Sequence, residues 1–307
     1  MVIKLLVFIV LLIFLFCIGF GVPYAIGLVC LVVMVMNDGL ANFPFDTLTQ
    51  KIVNSGNSFT LMAIPFFLLA GKLMNTGGVT NRIFGFCNTL IGWIPGGLGH
   101  ANVWASVIFA GMSGSAVADA AGLGQIEVKA MEDAGFDKDF SAAVTAASST
   151  IGPIIPPSIP LVVYACVATN VSVSDLLIGG LVPGVLMAIG LSIAVYIIAV
   201  RRRYPKNSLP SLRQIWNDFR HAFLSLLTPI ILIGGMLSGV FTPTEAAVVS
   251  AVYAFFLTVV LYREIKIREL WSLVIETARE TAGVLFIVCI SNMYGYLLTR
   301  AQIPSLL

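Results

Sequence analysis

Long apolar blocks run through the whole chain, separated by short polar or glycine-proline punctuation and without strict alternation of period two. Such blocks form membrane helices: a spanning helix takes roughly 20 apolar residues, whereas a barrel strand alternates between its two faces. The pattern predicts spans over residues 2–19, 24–36, 61–74, 176–200, 223–240, 245–261 and 281–298, with a kink at Pro65. Apolar and polar residues mix at helical spacing in 45–59, 82–93, 209–220 and 265–280, so these read as interfacial or lateral helices. Two stretches break the scheme. Residues 98–110 are too short to cross, and after Gly111-Met112-Ser113-Gly114-Ser115 the run 116–134 collects Asp119, Glu127, Lys129, Glu132 and Asp133. A re-entrant helical hairpin over 98–134 fits better than two crossings. Residues 140–169 then make one crossing, broken by Gly152-Pro153-Ile154-Ile155-Pro156-Pro157.

Composition agrees. Charged residues are 10% and apolar residues 58% of the 307 residues, against about 25% charge in soluble domains. The fold class is therefore an all-α polytopic membrane protein. The net charge of +2 carries no nucleic-acid signal, because the cations sit between spans. The five cysteines are scattered through apolar runs with neither metal nor disulfide spacing. The first block lacks an Ala-x-Ala cleavage site and is expected to stay as an uncleaved helix.

Charge placement sets the orientation. With Arg201-Arg202-Arg203 in the cytoplasm, Lys72, Arg82, Lys129, Lys138, Lys206, Arg213, Arg220, Arg263, Lys266, Arg268 and Arg279 fall on the same side. Only Lys4, Lys51 and Arg300 fall outside, a strong positive-inside bias that puts the amino terminus outside the cytoplasm. A faint internal repeat accompanies it: Gly19-Phe20-Gly21-Val22-Pro23 resembles Gly239-Val240-Phe241-Thr242-Pro243, and each precedes a span, an amphipathic segment and another span. In this topology the copies are inverted, as in many secondary transporters. The first copy continues into the hairpin and the broken span. The second reaches the end of the sequence where its own hairpin would begin.

The two breaks carry the candidate chemistry. A broken helix leaves carbonyl and N–H groups without partners, which is tolerated inside a membrane only where protein or a cavity meets them. Ser113, Ser115, Ser149 and Thr150, with the backbone at Gly152, offer neutral oxygens suited to a sodium ion. The half-helices starting near Ala116 and Ser158 offer N–H groups to a carboxylate, so Gly114, Asp119, Pro157 and Ser158 are the candidate substrate-binding residues. Glycine and serine also serve simply as packing residues at helix contacts. Asp119 reads equally as a functional group or as one hydrogen-bonded or paired inside a partly wet cavity. Glu127, Glu132 and Asp133 read as cytoplasmic surface charges, Lys72 as a snorkelling side chain, and Glu245 as the capping-box partner of Thr242. His100 and His221 are lone. No nucleotide loop, nucleophile-base pair or metal cluster supports an enzyme.

The sequence resembles the large membrane subunit (M, or DctM-like, component) of tripartite ATP-independent periplasmic (TRAP) transporters. The resemblance rests on Ala63-Ile64-Pro65-Phe66-Phe67 with Ala70-Gly71-Lys72-Leu73-Met74, on Phe109-Ala110-Gly111-Met112-Ser113-Gly114-Ser115-Ala116-Val117-Ala118-Asp119, and on Ile151-Gly152-Pro153-Ile154-Ile155-Pro156-Pro157-Ser158. It covers essentially all 307 residues. It implies an inverted-repeat elevator transporter of the bacterial inner membrane, importing organic acids such as C4-dicarboxylates or sialic acids. Sodium is the implied coupling ion, and no cofactor is expected. The implied partners are a small four-helix membrane subunit and an extracytoplasmic solute-binding protein. By this likeness 1–95 is first-repeat scaffold and lateral arm, 96–170 half of the moving domain, 171–240 scaffold and connecting helices, and 241–307 the start of the second repeat. A second hairpin and broken helix are expected beyond Leu307, so this chain alone is expected not to transport. Another ion-coupled carboxylate carrier working without a binding protein is the alternative, as is a non-transporting fragment.

Overall fold

The computed structural model describes residues 7–39, 45–168 and 170–302. Residues 2–6, including Lys4, and Thr169 lie outside the described residues. Every regular element among the described residues is helical. Five helices are long and apolar enough to cross a membrane: Phe59–Thr76, Val173–Arg202, Leu212–Leu237, Pro243–Leu261 and Ile267–Arg300. Phe8–Cys17 and Val22–Met36 are shorter apolar stretches at the first two predicted spans.

The α-helices in chain order are α1 (Leu12–Cys17, preceded by a π-turn), α2 (Val22–Asp38), α3 (Phe45–Gly56), α4 (Ala63–Thr76) and α5 (Val79–Ile91). Then come α6 (Gly97–Ser113), α7 (Ala116–Ala121), α8 (Leu123–Asp133), α9 (Lys138–Ser149) and α10 (Ile159–Val167). The last are α11 (Val173–Gly179), α12 (Leu181–Arg202), α13 (Leu212–Leu237), α14 (Pro243–Phe255) and α15 (Ile267–Arg300).

The chain forms two compact units. The first comprises residues 1–61 and 279–307. Its core joins Phe8, Val29, Val33 and Met34 to Met293 and Leu297, with the Phe8 ring edge-on to Tyr294 at 5.1 Å. The second, 62–278, holds both helix breaks. Its core runs along α4, α5 and α6 and continues through α9 and α12, where Phe136, Phe140 and Tyr204 stack.

Local chemistry explains most boundaries. Thr242 and Glu245 form the expected capping box at α14: the Thr242 N–H donates to the Glu245 carboxylate at 2.8 Å, and the Glu245 N–H donates to Thr242 Oγ1 at 3.3 Å. Gly19 and Gly239 both adopt left-handed φ, +90° and +71°, just before a proline at the first turn of α2 or α14. The two sequence-similar segments thus use the same turn. Arg201 and Arg202 end α12, where cations oppose the helix dipole.

Several expectations are corrected. Pro65 is not at mid-helix. It lies in the first turn of α4, just after a 3₁₀ turn at Phe59–Met62, where no intrahelical N–H bond is lost. The predicted amphipathic segments 209–220 and 265–280 are not separate from the spans after them. Each fuses with its successor into α13 and α15, since nothing at the junctions breaks a helix. The second hairpin arm is split at Gly122, whose α-carbon lies against the Asn75 side chain. Lys72 does not reach free for the headgroups; its ammonium pairs with Glu276 at 3.4 Å.

Candidate functional site

The site begins with two helix interruptions inside the second unit. Helix α6 stops at Gly114, which adopts φ +61°, and α7 starts two residues later, at Ala116. Helix α9 stops at Thr150, and α10 starts at Ile159. The two interruptions meet backbone to backbone. A Cβ on Gly114 would overlap the Pro157 carbonyl oxygen and lie 2.8 Å from its carbon. A Cβ on Gly152 would lie 3.2 Å from the Ser115 carbonyl carbon and 3.3 Å from the Ala116 nitrogen. A side chain at Gly152 would be tight, whereas at Gly114 it would collide outright, and only glycine takes that left-handed turn without strain. From the other side, α4 presses in so closely that a Cβ on Gly71 would sit 3.0 Å from Ser113 Cβ.

The candidate sodium ligands occupy distinct surroundings. Ser113 is buried and its hydroxyl has no partner. Ser115 is half-buried and caps α7, its oxygen accepting from the Ala118 N–H at 3.3 Å. Ser149 is buried and donates to the Thr145 carbonyl at 2.8 Å. Thr150 is exposed, its hydroxyl donating to the Ala147 carbonyl at 2.6 Å, so it brings only its backbone to the turn. Gly152 is buried against Ser115.

Among the candidate substrate residues, Gly114, Asp119, Pro157 and Ser158 are all buried. Ser158 caps α10: it accepts from the Leu161 N–H at 3.2 Å and donates to the Pro153 carbonyl. Each short helix therefore has one of its free N–H groups already satisfied by its own cap serine. The Asp119 carboxylate has no hydrogen-bond partner. The hydroxyls of Ser106 and Ser149 face it, but Ser106 donates to Ser148 and Ser149 to Thr145.

Sequence reasoning missed the polar seam behind the tips. Asn102 donates to Thr145 Oγ1 at 2.7 Å and accepts from Ser148 Oγ at 2.7 Å, and Ser106 donates to Ser148 at 3.2 Å. All four are buried, and together they tie α6 to α9. Their spacing was the available signal: 102 and 106 lie four apart and 145 and 148 three apart, so each pair shares a helix face. Glu127 is a correction. It is not a surface charge but fully buried on α8, with neither carboxyl oxygen partnered. Glu132 is half-buried and Asp133 exposed. His100 is buried, placed at the Pro95 carbonyl, and no group of three or more metal-binding side chains occurs among the described residues.

Known proteins resemble this sequence. Residues 5–307 match the family described as "Tripartite ATP-independent periplasmic transporter, DctM component". The sialic acid TRAP transporter large permease protein SiaM of Vibrio cholerae is 43% identical over 290 residues, 94% of this chain and 67% of that protein. The 2,3-diketo-L-gulonate TRAP transporter large permease protein YiaN of Escherichia coli is 39% identical over 264 residues, 86% of this chain and 62% of that one. The C4-dicarboxylate TRAP transporter large permease protein DctM of Pseudomonas aeruginosa is 40% identical over 259 residues, 84% of this chain and 60% of its own length. This chain thus spans about two thirds of the length of these relatives. With five apolar helices of spanning length and a match over nearly its whole sequence, it is a multi-pass membrane protein belonging to the DctM family of TRAP transporter components.

Proposed function

We propose that this chain supplies the first half of the ion and substrate site in the large permease subunit of a sodium-coupled, organic-acid importer of the bacterial inner membrane. One observation carries the reading: two helix interruptions meet backbone to backbone beside the unpartnered Ser113 hydroxyl. Ser113 and Ser115, with the backbone carbonyls from Ser149 to Gly152, form the sodium ligands. Gly114, Pro157, Ser158 and the Asp119 region face the carboxylate solute. The relatives' names all specify acids, which supports that class of substrate. A small four-helix subunit and an extracytoplasmic binding protein are its partners. The hairpin enters and leaves the membrane on the cytoplasmic side, and the amino terminus lies outside, as the charge bias supports. The inverted repeat and an elevator motion of residues 96–170 belong to the same reading.

The test is sodium activation of solute uptake by a complete transporter carrying this first half. Ser113→Ala removes an oxygen that nothing else uses, so the sodium concentration for half-maximal uptake should rise about 5- to 150-fold, the equivalent of about 1–3 kcal/mol. Ser115→Ala should also weaken sodium activation, together with a cap. An unchanged sodium dependence in both variants refutes the assignment. Orientation is checked by labelling cysteines placed in the turn 134–137, between α8 and α9, from outside intact cells, where no labelling is expected.

A further inference from the structure

Glu127 is the one group whose position contradicts its sequence context. It has 0% exposure, and neither carboxyl oxygen meets a donor. An ionised carboxylate held so, without a cation or hydrogen-bond donors, costs several kcal/mol. Helices α5, α6, α7 and α9 pack against α8. From α7, Asp119 faces it, a like charge at 1% exposure. From α5, the Cys87 thiol faces it, while Arg82 turns away to Glu264 at 2.7 Å and to the Gly78 carbonyl. From α6, His100 is placed at the Pro95 carbonyl. From α9, Lys138 and Asp139 are exposed, as are Lys129 and Asp133 on α8 itself, with Glu132 half-buried. No cation among the described residues reaches Glu127.

We propose that Glu127 is a proton-binding site inside the hairpin, occupied at neutral pH, so that it stands beside Asp119 as a neutral carboxylic acid. Removing two facing carboxylates from water without a counter-ion leaves protonation of one as the available route to neutrality. Glu127 is the holder because its surroundings are a carboxylate and a thiol. Asp119 has the Ser106 and Ser149 hydroxyls facing it, and these can rotate to donate. When the site empties, the proton leaves the Glu127 oxygen for water, and the hairpin gains one negative charge. Glu127 itself, on α8, is not among the proposed sodium ligands at the tips. It rests on burial in this chain and does not depend on the transport reading.

The experiment is infrared spectroscopy of the purified, detergent-solubilised chain, following the protonated-carboxyl C=O band as pH is raised from about 5 to about 9, a range above ordinary carboxylate titration. A band from a buried acid should be present at about pH 7 and lost in Glu127→Gln, which is isosteric with the neutral acid and should leave the melting temperature unchanged. Absence of the band at neutral pH, or its persistence in a folded Glu127→Gln, overturns the proposal. Should Glu127→Gln fail to fold, Asp119→Asn decides. Removing the like charge should move the loss of the band down by about one pH unit, and an unmoved midpoint overturns the site.

Discussion

Helices α6 and α12 are both strongly apolar, yet the fold uses them in opposite ways. Thirteen of the 17 residues of α6 are buried, against four of the 22 in α12. The difference lies in side-chain size. Helix α6 reads Gly-Leu-Gly-His-Ala-Asn-Val-Trp-Ala-Ser, and its small residues let α9, α5 and α13 approach on several sides. Helix α12 presents Val182, Leu186, Ile193 and Val200 outward and buries only the stripe Gly184, Ala188, Val195 and Ala199. Hydropathy therefore identifies both as membrane material but is silent on which is enclosed by protein. Small residues and unexpected polar ones mark the enclosed helix.

The sharpest way to break this comparison is to substitute one glycine in each region. Gly114→Ala meets both the left-handed backbone and the Pro157 carbonyl, and should cost about 3 kcal/mol or more, seen as a large drop in the melting temperature of detergent-solubilised protein. Gly190→Ala in α12 has nothing within 4 Å of the new methyl and should be neutral or stabilising by up to about 1 kcal/mol. Equal effects would mean that the α6 tip is not tightly enclosed.

The next contrast removes a polar group from each. Asn102→Ala strips partners from Thr145 and Ser148 and should cost about 2 kcal/mol in the same melting experiment. Ser192→Ala in α12 removes a hydroxyl that has no partner and should leave melting unchanged. Between these two lies Ser115→Ala, which removes the cap of a six-residue helix and should cost about 1 kcal/mol in melting.

The smallest effect is at the exposed margin of the same unit, where the hydrogen bond from the Tyr204 hydroxyl and that from Arg202, both 2.6 Å, hold the Asp137 carboxyl below the ordinary range. A carboxylate lowered on folding stabilises above its unfolded pKa, about 3.9, and loses that contribution as pH falls through the folded value. Asp137→Asn should therefore melt slightly lower at neutral pH and show a flatter fall below about pH 4, where the two proteins converge.

Much of this was legible in the sequence because it is local. Gly114 and Ser115 announce a turn and a cap, Thr242 and Glu245 a capping box, and the Gly-Pro-Ile-Ile-Pro-Pro run an interruption. The fusions into α13 and α15 were not legible, because an amphipathic helix can pass into an apolar one without any signal. Between α3 and the 3₁₀ turn, by contrast, Asn57 and Ser58 do interrupt the helix. The Lys72–Glu276 and Arg82–Glu264 pairs join residues some two hundred positions apart, which no window reveals. Glu127 looked solvent-facing because Lys129, Glu132 and Asp133 surround it. The split at Gly122 resets the helix, so its face could not be read by counting turns from the tip.

The glycine contacts at the tips also have a mechanical meaning. Side chains at an interface act as springs: they change rotamer, tilt and let two helices shear by fractions of an ångström. Where Gly114 meets Pro157 and Gly152 meets Ser115, main chain touches main chain and there is no spring. The hairpin and the broken helix are clamped into one stiff block, and neither tip can advance without carrying the other. Whatever displacement this protein undergoes has its compliance elsewhere, at joints cushioned by larger and more adaptable side chains.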